Sequence, residues 1–446
     1  MEEKQIYINE EDKIMKNKLV RSWIAMCLCG AMLAGCGNKP MESNPANGTE
    51  WESKTQTEGE KEECREPLKK VELEGSYERA AYLMDMVYEK NGVQNTMVSP
   101  LSLDMALGLV AGGANGRTKE EFTAYLGTDD YGEFAEQYME YAKGLNTSNS
   151  FVQTGYNMAY EIANSIWLKD DRKLVESYAA MAEKQFDAEV EAVSFDKSDV
   201  PETVKRINGW CNEKTHELIP EIINENSISE DAVAVLINSL YFESPWDEEW
   251  GLTTHEFTDF EGTVKEQEML RDTLSTYYEN NEATAFGKRY SNGMQFIGIL
   301  PKETGEFALS DLDVESLLES ENRDYDVHAI MPKLTFDTTA DNIVDILKSQ
   351  GVETVFDKKQ SDLTGLIEMN SDEVTYISDI IQKTRIELDE NGTKAAAVTA
   401  VMMDMATCAM PQQKKEKEVY LDRPFAFMIY DEVNDQIVFV GKVVQL

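Results

Sequence analysis

The stretch ELDENGTKAAAVTAVMMDMATCAMP, Glu387 to Pro411, constrains the fold more than any other part of the chain. It begins like a β-strand, turns at Asn391-Gly392, and then carries no Lys or Arg from Ala395 to Gln413. Counted two at a time, one face holds Thr393, Ala395, Ala397, Thr399, Val401, Met403 and Met405, without a charge. The other holds Lys394, Ala396, Val398, Ala400, Met402 and Asp404, with both charges of the segment. Successive strand residues point to opposite sides, so a strand could bury the first face and leave Lys394 and Asp404 in water. In a helix at 3.6 residues per turn those charges, ten residues apart, would lie about 80° from each other, so a helix is not excluded by them. The two-residue alternation, with one face free of charge over seven positions, favours a strand. From the residues alone three other readings stay open: the return strand of an Asn-Gly hairpin, a short alanine-rich surface helix, or a loop.

The composition is that of a globular chain, 42% hydrophobic and 28% charged over 446 residues, and the formal net charge is −42. Such an excess repels phosphate backbones and anionic membrane surfaces, which excludes nucleic acid as a partner. At the N-terminus Lys16, Lys18 and Arg21 precede SWIAMCLCGAMLAGC, an apolar run too short to span a bilayer and suited to a secretory signal. Leu33-Ala34-Gly35-Cys36 is similar to a bacterial lipoprotein signal, which implies lipidation of Cys36 and a membrane-anchored, extracellular protein. Residues 1–14 are acidic where a signal should be basic, so Met15 is an alternative start. Residues 1–36 are read as the signal, and 37–74, polar and without apolar period, as a flexible tether. Residues 75–446 contain no second linker and no repeat and are read as one domain.

Within that domain SYERAAYLMDMVYEK sets Ala80, Leu83, Met84, Val87 and Tyr88 on one helical face. SPLSLDMALGLVAGGA predicts a buried helix capped by Ser99, with Pro100 first and a glycine pair at its end. VPETVKRINGWCNEKTHELIPEII, residues 200–223, reads as a further helix. Runs rich in Val, Ile, Phe and Tyr predict strands at EIANSIWLK, DAVAVLINSLYFES, MQFIGILP, VHAIMPKLTFDT, KTRIELDE, PFAFMIYD and QIVFVGKVV. The mixture implies an α+β fold. Six cysteines and three histidines show no ligand spacing and no disulfide framework, so no metal and no cofactor are expected. Phosphate loops, zinc-protease helices and nucleophile elbows are absent from the sequence, so no catalytic residue is assigned.

Several of these segments, in order, resemble one family. ELDENGTKAAAVTA is similar to the hinge of the serpins, the serine protease inhibitors. YISDIIQKTRIEL resembles the strand that feeds it, and SPLSLDMALGLVAGGANGRTKEE the early core helix and the turn after it. NSIWL, INGWCNEKTHELI, INSLYFESPW, HAIMPKLTFD, SDLTGL and DRPFAFMIYD with IVFVGKV follow in the family's order. The resemblance implies three β-sheets, about eight or nine helices and an exposed reactive-centre loop. It implies inhibition by suicide cleavage: a serine or a cysteine endopeptidase cuts the loop, which inserts as a new strand and carries the covalently bound protease with it. The chain itself would be a monomer.

By the same resemblance Glu390 opens the hinge, and Gly392, Thr393, Ala395, Ala396 and Ala397 form its small, mobile part. The scissile bond falls at Ala406-Thr407, with Met405-Ala406 as the alternative, and the small apolar residues there suit elastase-like or subtilisin-like proteases. Ser99, Ser102 and Asn238 correspond to a polar cluster beneath the opening sheet, and Trp246 and Lys333 to the place where insertion begins. Gln382 stands where many members have His, and Lys394 where Glu is usual, and Lys394 is expected to face solvent. The alternative within the fold is a non-inhibitory binding module, cleaved as a plain substrate.

Overall fold

The computed structural model describes residues 76–148, 158–228, 233–368, 375–377, 379–393 and 414–446. In chain order the elements begin with α1 (Ser76–Asn91), β1 (Thr96–Val98), α2 (Pro100–Ala111), α3 (Gly116–Leu126), α4 (Tyr131–Ser148), β2 (Ala159–Lys169), α5 (Glu176–Phe186), β3 (Glu189–Val193) and α6 (Val200–Lys214). There follow β4 (Ala234–Pro245), β5 (Gly251–Thr258), β6 (Val264–Leu274), β7 (Thr276–Glu279), β8 (Ala283–Arg289) and β9 (Gln295–Pro301). The last third holds α7 (Val314–Glu319), β10 (Tyr325–Pro332), β11 (Leu334–Ala340), α8 (Ile343–Ser349), β12 (Gln382–Leu388), β13 (Gly392–Thr393), β14 (Lys415–Tyr420), β15 (Phe425–Asp431) and β16 (Gln436–Val443).

The strands form three sheets, ordered β1-β16-β15-β9-β8-β7, β14-β10-β6-β5 and β11-β12-β13-β4-β2-β3. The first is the centre of the core, and every residue of β16 is buried, as its continuous apolar run requires. α1 turns Ala80, Leu83, Met84, Val87 and Tyr88 inward, as their spacing predicts. α2 starts at Ser99, whose side chain caps Ser102 N, and packs against both β4 and β16. It therefore lies under the third sheet. α6 covers the opposite face of that sheet through a separate apolar cluster that includes Trp167, Ile207, Trp210, Cys211 and Ile237.

Two expectations need correction. The helix expected over 200–223 ends at Lys214, because His216 and Glu217 take left-handed backbone angles, φ 49° and 67°, that no α-helix continues through. VHAIMPKLTFDT is two strands in different sheets, β10 and β11, and Lys333 is the one residue between them. That break matters for function, since it sets Lys333 at a corner where two sheets meet.

Candidate functional site

Strands β12 and β4 run parallel to each other in the third sheet, and the two residues of β13 lie antiparallel between them. Thr393 faces Leu388 on one side and Ser244 on the other. Among the described residues no ladder joins β4 to β12 below that wedge. A cavity of about 110 Å³ lies between α2, the first half of β4 and residues 379–382. Gly392 and Thr393 thus form a return strand that reaches the last described residue of this segment. Lys394 and the rest of the stretch, with Ala395, Ala396, Ala397, Met405, Ala406 and Thr407, lie outside the described residues, as does Cys36.

The wedge is held by a dense set of contacts. Asp389 Oδ1 accepts from Asn391 N at 2.8 Å and Gly392 N at 3.3 Å, and Asp389 N donates to Gly392 O at 2.9 Å. The turn between β12 and β13 is therefore closed by one aspartate. Trp246 donates its indole N–H to Asp389 O at 2.9 Å and its backbone N–H to Asn391 O at 2.9 Å. Trp250 N donates to Glu390 O at 3.0 Å. Lys333 Nζ bridges Glu390 at 2.8 Å and Glu268 at 2.9 Å. The hydrogen bond and charge of Lys333 hold the Glu390 carboxyl below its ordinary range, and Glu390 raises the Lys333 ammonium in return.

Gly392 is required by closeness. A Cβ there would stand 2.3 Å from Ser244 O and 2.6 Å from Pro245 Cα. Thr393 is buried, and its hydroxyl shares a 2.7 Å hydrogen bond with the Tyr290 hydroxyl. The Tyr290 ring stacks on Trp246, with centroids 4.2 Å apart. Burial raises the Tyr290 phenol well above its usual value, so it stays neutral and available as donor or acceptor.

Lower down, a chain of hydrogen bonds links α2 to three strands. Ser99 Oγ donates to Val438 O at 2.7 Å and accepts from Ser102 N at 3.2 Å. Ser102 Oγ donates to Asn238 Oδ1 on β4, Asn238 Nδ2 to Asn164 Oδ1 on β2 at 2.8 Å, and Asn164 Nδ2 to Phe186 O at 2.7 Å. From the other bank, Gln382 accepts from Ser99 N at 2.9 Å and donates to Ser99 O at 2.8 Å. Ser99 and Ser102 together thus join β12 to β4. Sequence reasoning names Ser99, Ser102, Asn238, Trp246 and Lys333 for this region, and the structure places the first three in one network and the last two beside Glu390. It misses Asn164, Asp389 and Tyr290. The Asp-x-Asn-Gly spacing is a turn signal that could have found Asp389. Nothing local in the sequence marks Tyr290, which reaches the wedge from just beyond β8.

Among the described residues no cluster of His, Cys, Asp or Glu could hold a metal ion. Cys211 is buried in α6, and burial pushes its thiol up to about 12, which makes it a poor nucleophile.

Comparison with known proteins comes to the same place. The family model described as "Serpin (serine protease inhibitor)" matches residues 75–446. A serpin-like protein of Thermococcus kodakarensis, itself uncharacterized, is 28% identical over 376 residues, spanning 81% of this chain and 83% of its own length. The leukocyte elastase inhibitor of Xenopus tropicalis is 25% identical, spanning 81% of this chain and 95% of its own. Among solved structures the thermophilic serpin tengpin in its native state superposes with a TM-score of 0.69 at 28% identity, covering 83% of this chain and 93% of tengpin. Tengpin in its latent state gives 0.67 at 27% identity, covering 84% and 100%.

Proposed function

The chain belongs to the serpin family, and on that premise we propose that it inhibits serine endopeptidases by trapping them on a cleaved and inserted loop. The observation that carries this reading is the wedge: Gly392 and Thr393 pair as two residues of a strand between β4 and β12, and among the described residues no ladder joins those two strands directly. The protease serine Oγ attacks the carbonyl carbon of Ala406. The bond to Thr407 N breaks, and the proton lost by the serine leaves on the Thr407 amine. The resulting ester needs water to complete ordinary proteolysis. Insertion of the freed strand moves the ester, and the protease with it, before water attacks.

The driving force has the necessary size. About a dozen inserted residues would each gain a ladder hydrogen bond of roughly 1 kcal/mol net. Val401, Met403 and Met405, all on the uncharged face, would add about 1.5–3 kcal/mol each on burial. That exceeds the marginal stability of many domains, so the uncleaved fold can be stable and still not lowest in free energy. A bait of Met405, Ala406 and Thr407 favours elastase-like or subtilisin-like targets, and the elastase inhibitor among the relatives agrees with the first. The Leu33–Cys36 signal supports presentation outside the cell on a lipid anchor.

The test is a denaturing gel after mixing with an elastase-like and a subtilisin-like protease. An SDS-stable adduct is expected, and sequencing the released peptide should read Thr407 as its first residue. Cleavage without adduct across a broad protease panel would reduce the protein to a substrate with a serpin fold.

A further inference from the structure

The Asn391-Gly392 turn carries a second chemistry, one of modification. Asparagine is thermolabile because the backbone nitrogen of the next residue can attack its side-chain carbonyl carbon. Glycine in that next place has no Cβ to hinder the approach. The bond from Cγ to the side-chain nitrogen breaks, and ammonia leaves with the proton that the backbone nitrogen gives up. Water then opens the resulting succinimide at either carbonyl, to aspartate or to isoaspartate. Isoaspartate lengthens the main chain by a methylene. Water is the only co-reactant.

The wedge pins the peptide group that this reaction has to turn. The N–H of the Asn391–Gly392 peptide donates to Asp389 Oδ1 at 3.3 Å, and its carbonyl accepts from Trp246 N at 2.9 Å. On either side Asn391 N donates to the same Asp389 oxygen at 2.8 Å, and Gly392 O accepts from Asp389 N at 2.9 Å. Ring closure needs the Gly392 nitrogen free of its proton and facing the Asn391 side chain, so these bonds must first be given up. The side-chain amide itself is not held back, for Asn391 is half-buried and the amide makes no hydrogen bond among the described residues.

The longer product has no place in the pairing. Gly392 is buried, and a single added Cβ there would stand 2.3 Å from Ser244 O. One residue on, Thr393 is fixed between Ser244 and Leu388 and bonded to Tyr290. A methylene inserted just before Gly392 displaces both residues from these partners. We propose that Asn391 is a self-modification site guarded by the wedge. It is protected while β13 is paired, deamidates when β13 opens locally from β4 and β12, and as isoaspartate prevents their pairing again. The modification rests on the observed pairing alone. Its cost to protease trapping, that a modified chain cannot start insertion, rests on the function proposed above.

The test ages the uncleaved full chain at mildly alkaline pH, folded and in guanidinium chloride. The peptide containing residue 391 is followed by mass spectrometry and by labelling with isoaspartyl methyltransferase. Isoaspartate should form roughly tenfold or more slowly in the folded protein. Asp389→Ala should speed the folded reaction several-fold and leave the unfolded one unchanged, and Tyr290→Phe, which loosens the wedge without touching the turn, should speed it too. Aged wild type should melt lower than fresh protein, and aged Asn391→Gln should not. Absence of isoaspartate at 391 in guanidinium would overturn the site. Equal rates in folded and unfolded protein would overturn the guard, as would a slower reaction in Asp389→Ala, which would make that carboxylate a base instead of a clamp. Loss of the SDS-stable adduct on ageing is read separately, so failure of the trapping mechanism leaves the modification result standing.

Discussion

The two ends of the gap between β4 and β12 are built from different materials. At the top, backbone hydrogen bonds from Trp246 and Trp250, the Lys333–Glu390 ion pair and the Thr393–Tyr290 bond fasten a wedge that belongs to the same chain. At the bottom a thin line of amides and hydroxyls, Gln382–Ser99–Ser102–Asn238–Asn164, ties the sheet to α2 above a cavity. The top is a starting point that is already paired. The bottom is a set of contacts that an entering strand would have to rearrange if the loop inserts as proposed. Insertion of that kind would need both: a fixed register where it starts, and polar bonds below, worth about 1 kcal/mol each, that hold the sheet together without holding it shut.

The most severe way to break this division is Thr393→Arg. The side chain is buried against Tyr290, and a guanidinium there would lose its water without a carboxylate to meet it. The wedge should be expelled, and the protein should turn from inhibitor to substrate, read as loss of the SDS-stable adduct at undiminished cleavage. An adduct of normal yield would show that insertion does not begin at Thr393.

Asn238→Ala attacks the bottom. It leaves the Ser102 hydroxyl and the Asn164 carbonyl oxygen without their partner, a loss of about 1–3 kcal/mol. At roughly 2–4 °C per kcal/mol the uncleaved protein should melt several degrees lower. Because the bonds belong to the unfilled sheet, the cleaved form should lose less. Equal losses in the two forms would mean that the network is plain core structure, indifferent to the gap.

These two sites also differ in how far the sequence discloses them. Ser99 and Pro100 announce a capped helix, and the cap is there, because such a signal acts over three residues. The period-two pattern after Gly392 announces a strand, and Thr393, the one residue of it that is described, is seen in one with Gly392. The helix over 200–223 is overrun because helix-forming composition continues past Lys214, while the left-handed turn at His216 and Glu217 answers to tertiary packing. Lys333 is legible only by resemblance, since nothing in HAIMPKLTFD shows one strand leaving a sheet and the next entering another. Tyr290 is not legible at all, for its meaning is a contact made 103 residues away.

Tyr290→Phe is the finer probe of the top. It removes one hydroxyl and keeps the ring stacked on Trp246. Thr393 would be left with a buried, unpaired hydroxyl, so the uncleaved protein should lose about 1–2 kcal/mol, read in urea denaturation at unchanged slope. A change in slope would instead report that the wedge had left the sheet and exposed new surface.

The smallest effect is the most selective between the two ends, because only the top carries an ion pair. Glu390 has its pKa lowered, first by the hydrogen bond from Lys333, so its contribution is complete above the unfolded carboxyl value of about 4.3 and fades as the pH falls through the lower folded value. Lys333 has its pKa raised, chiefly by Glu390, so its contribution is complete below about 10.4 and fades only as the pH rises through the higher folded value. Between roughly pH 5 and 10 the pair is therefore constant, and with both side chains about a third exposed it is worth at most about 1 kcal/mol. Many other carboxylates titrate in the same acid range, so the informative quantity is the difference between wild type and Glu390→Gln. That difference in melting temperature should be flat from pH 5 to 9 and shrink toward zero by about pH 3. The same comparison with Asn238→Ala should show no such collapse, since its hydrogen bonds are neutral. If the Glu390→Gln difference persists in acid, the carboxylate charge does not fasten the wedge, and the backbone bonds of Trp246 and Trp250 hold the top of the gap without it.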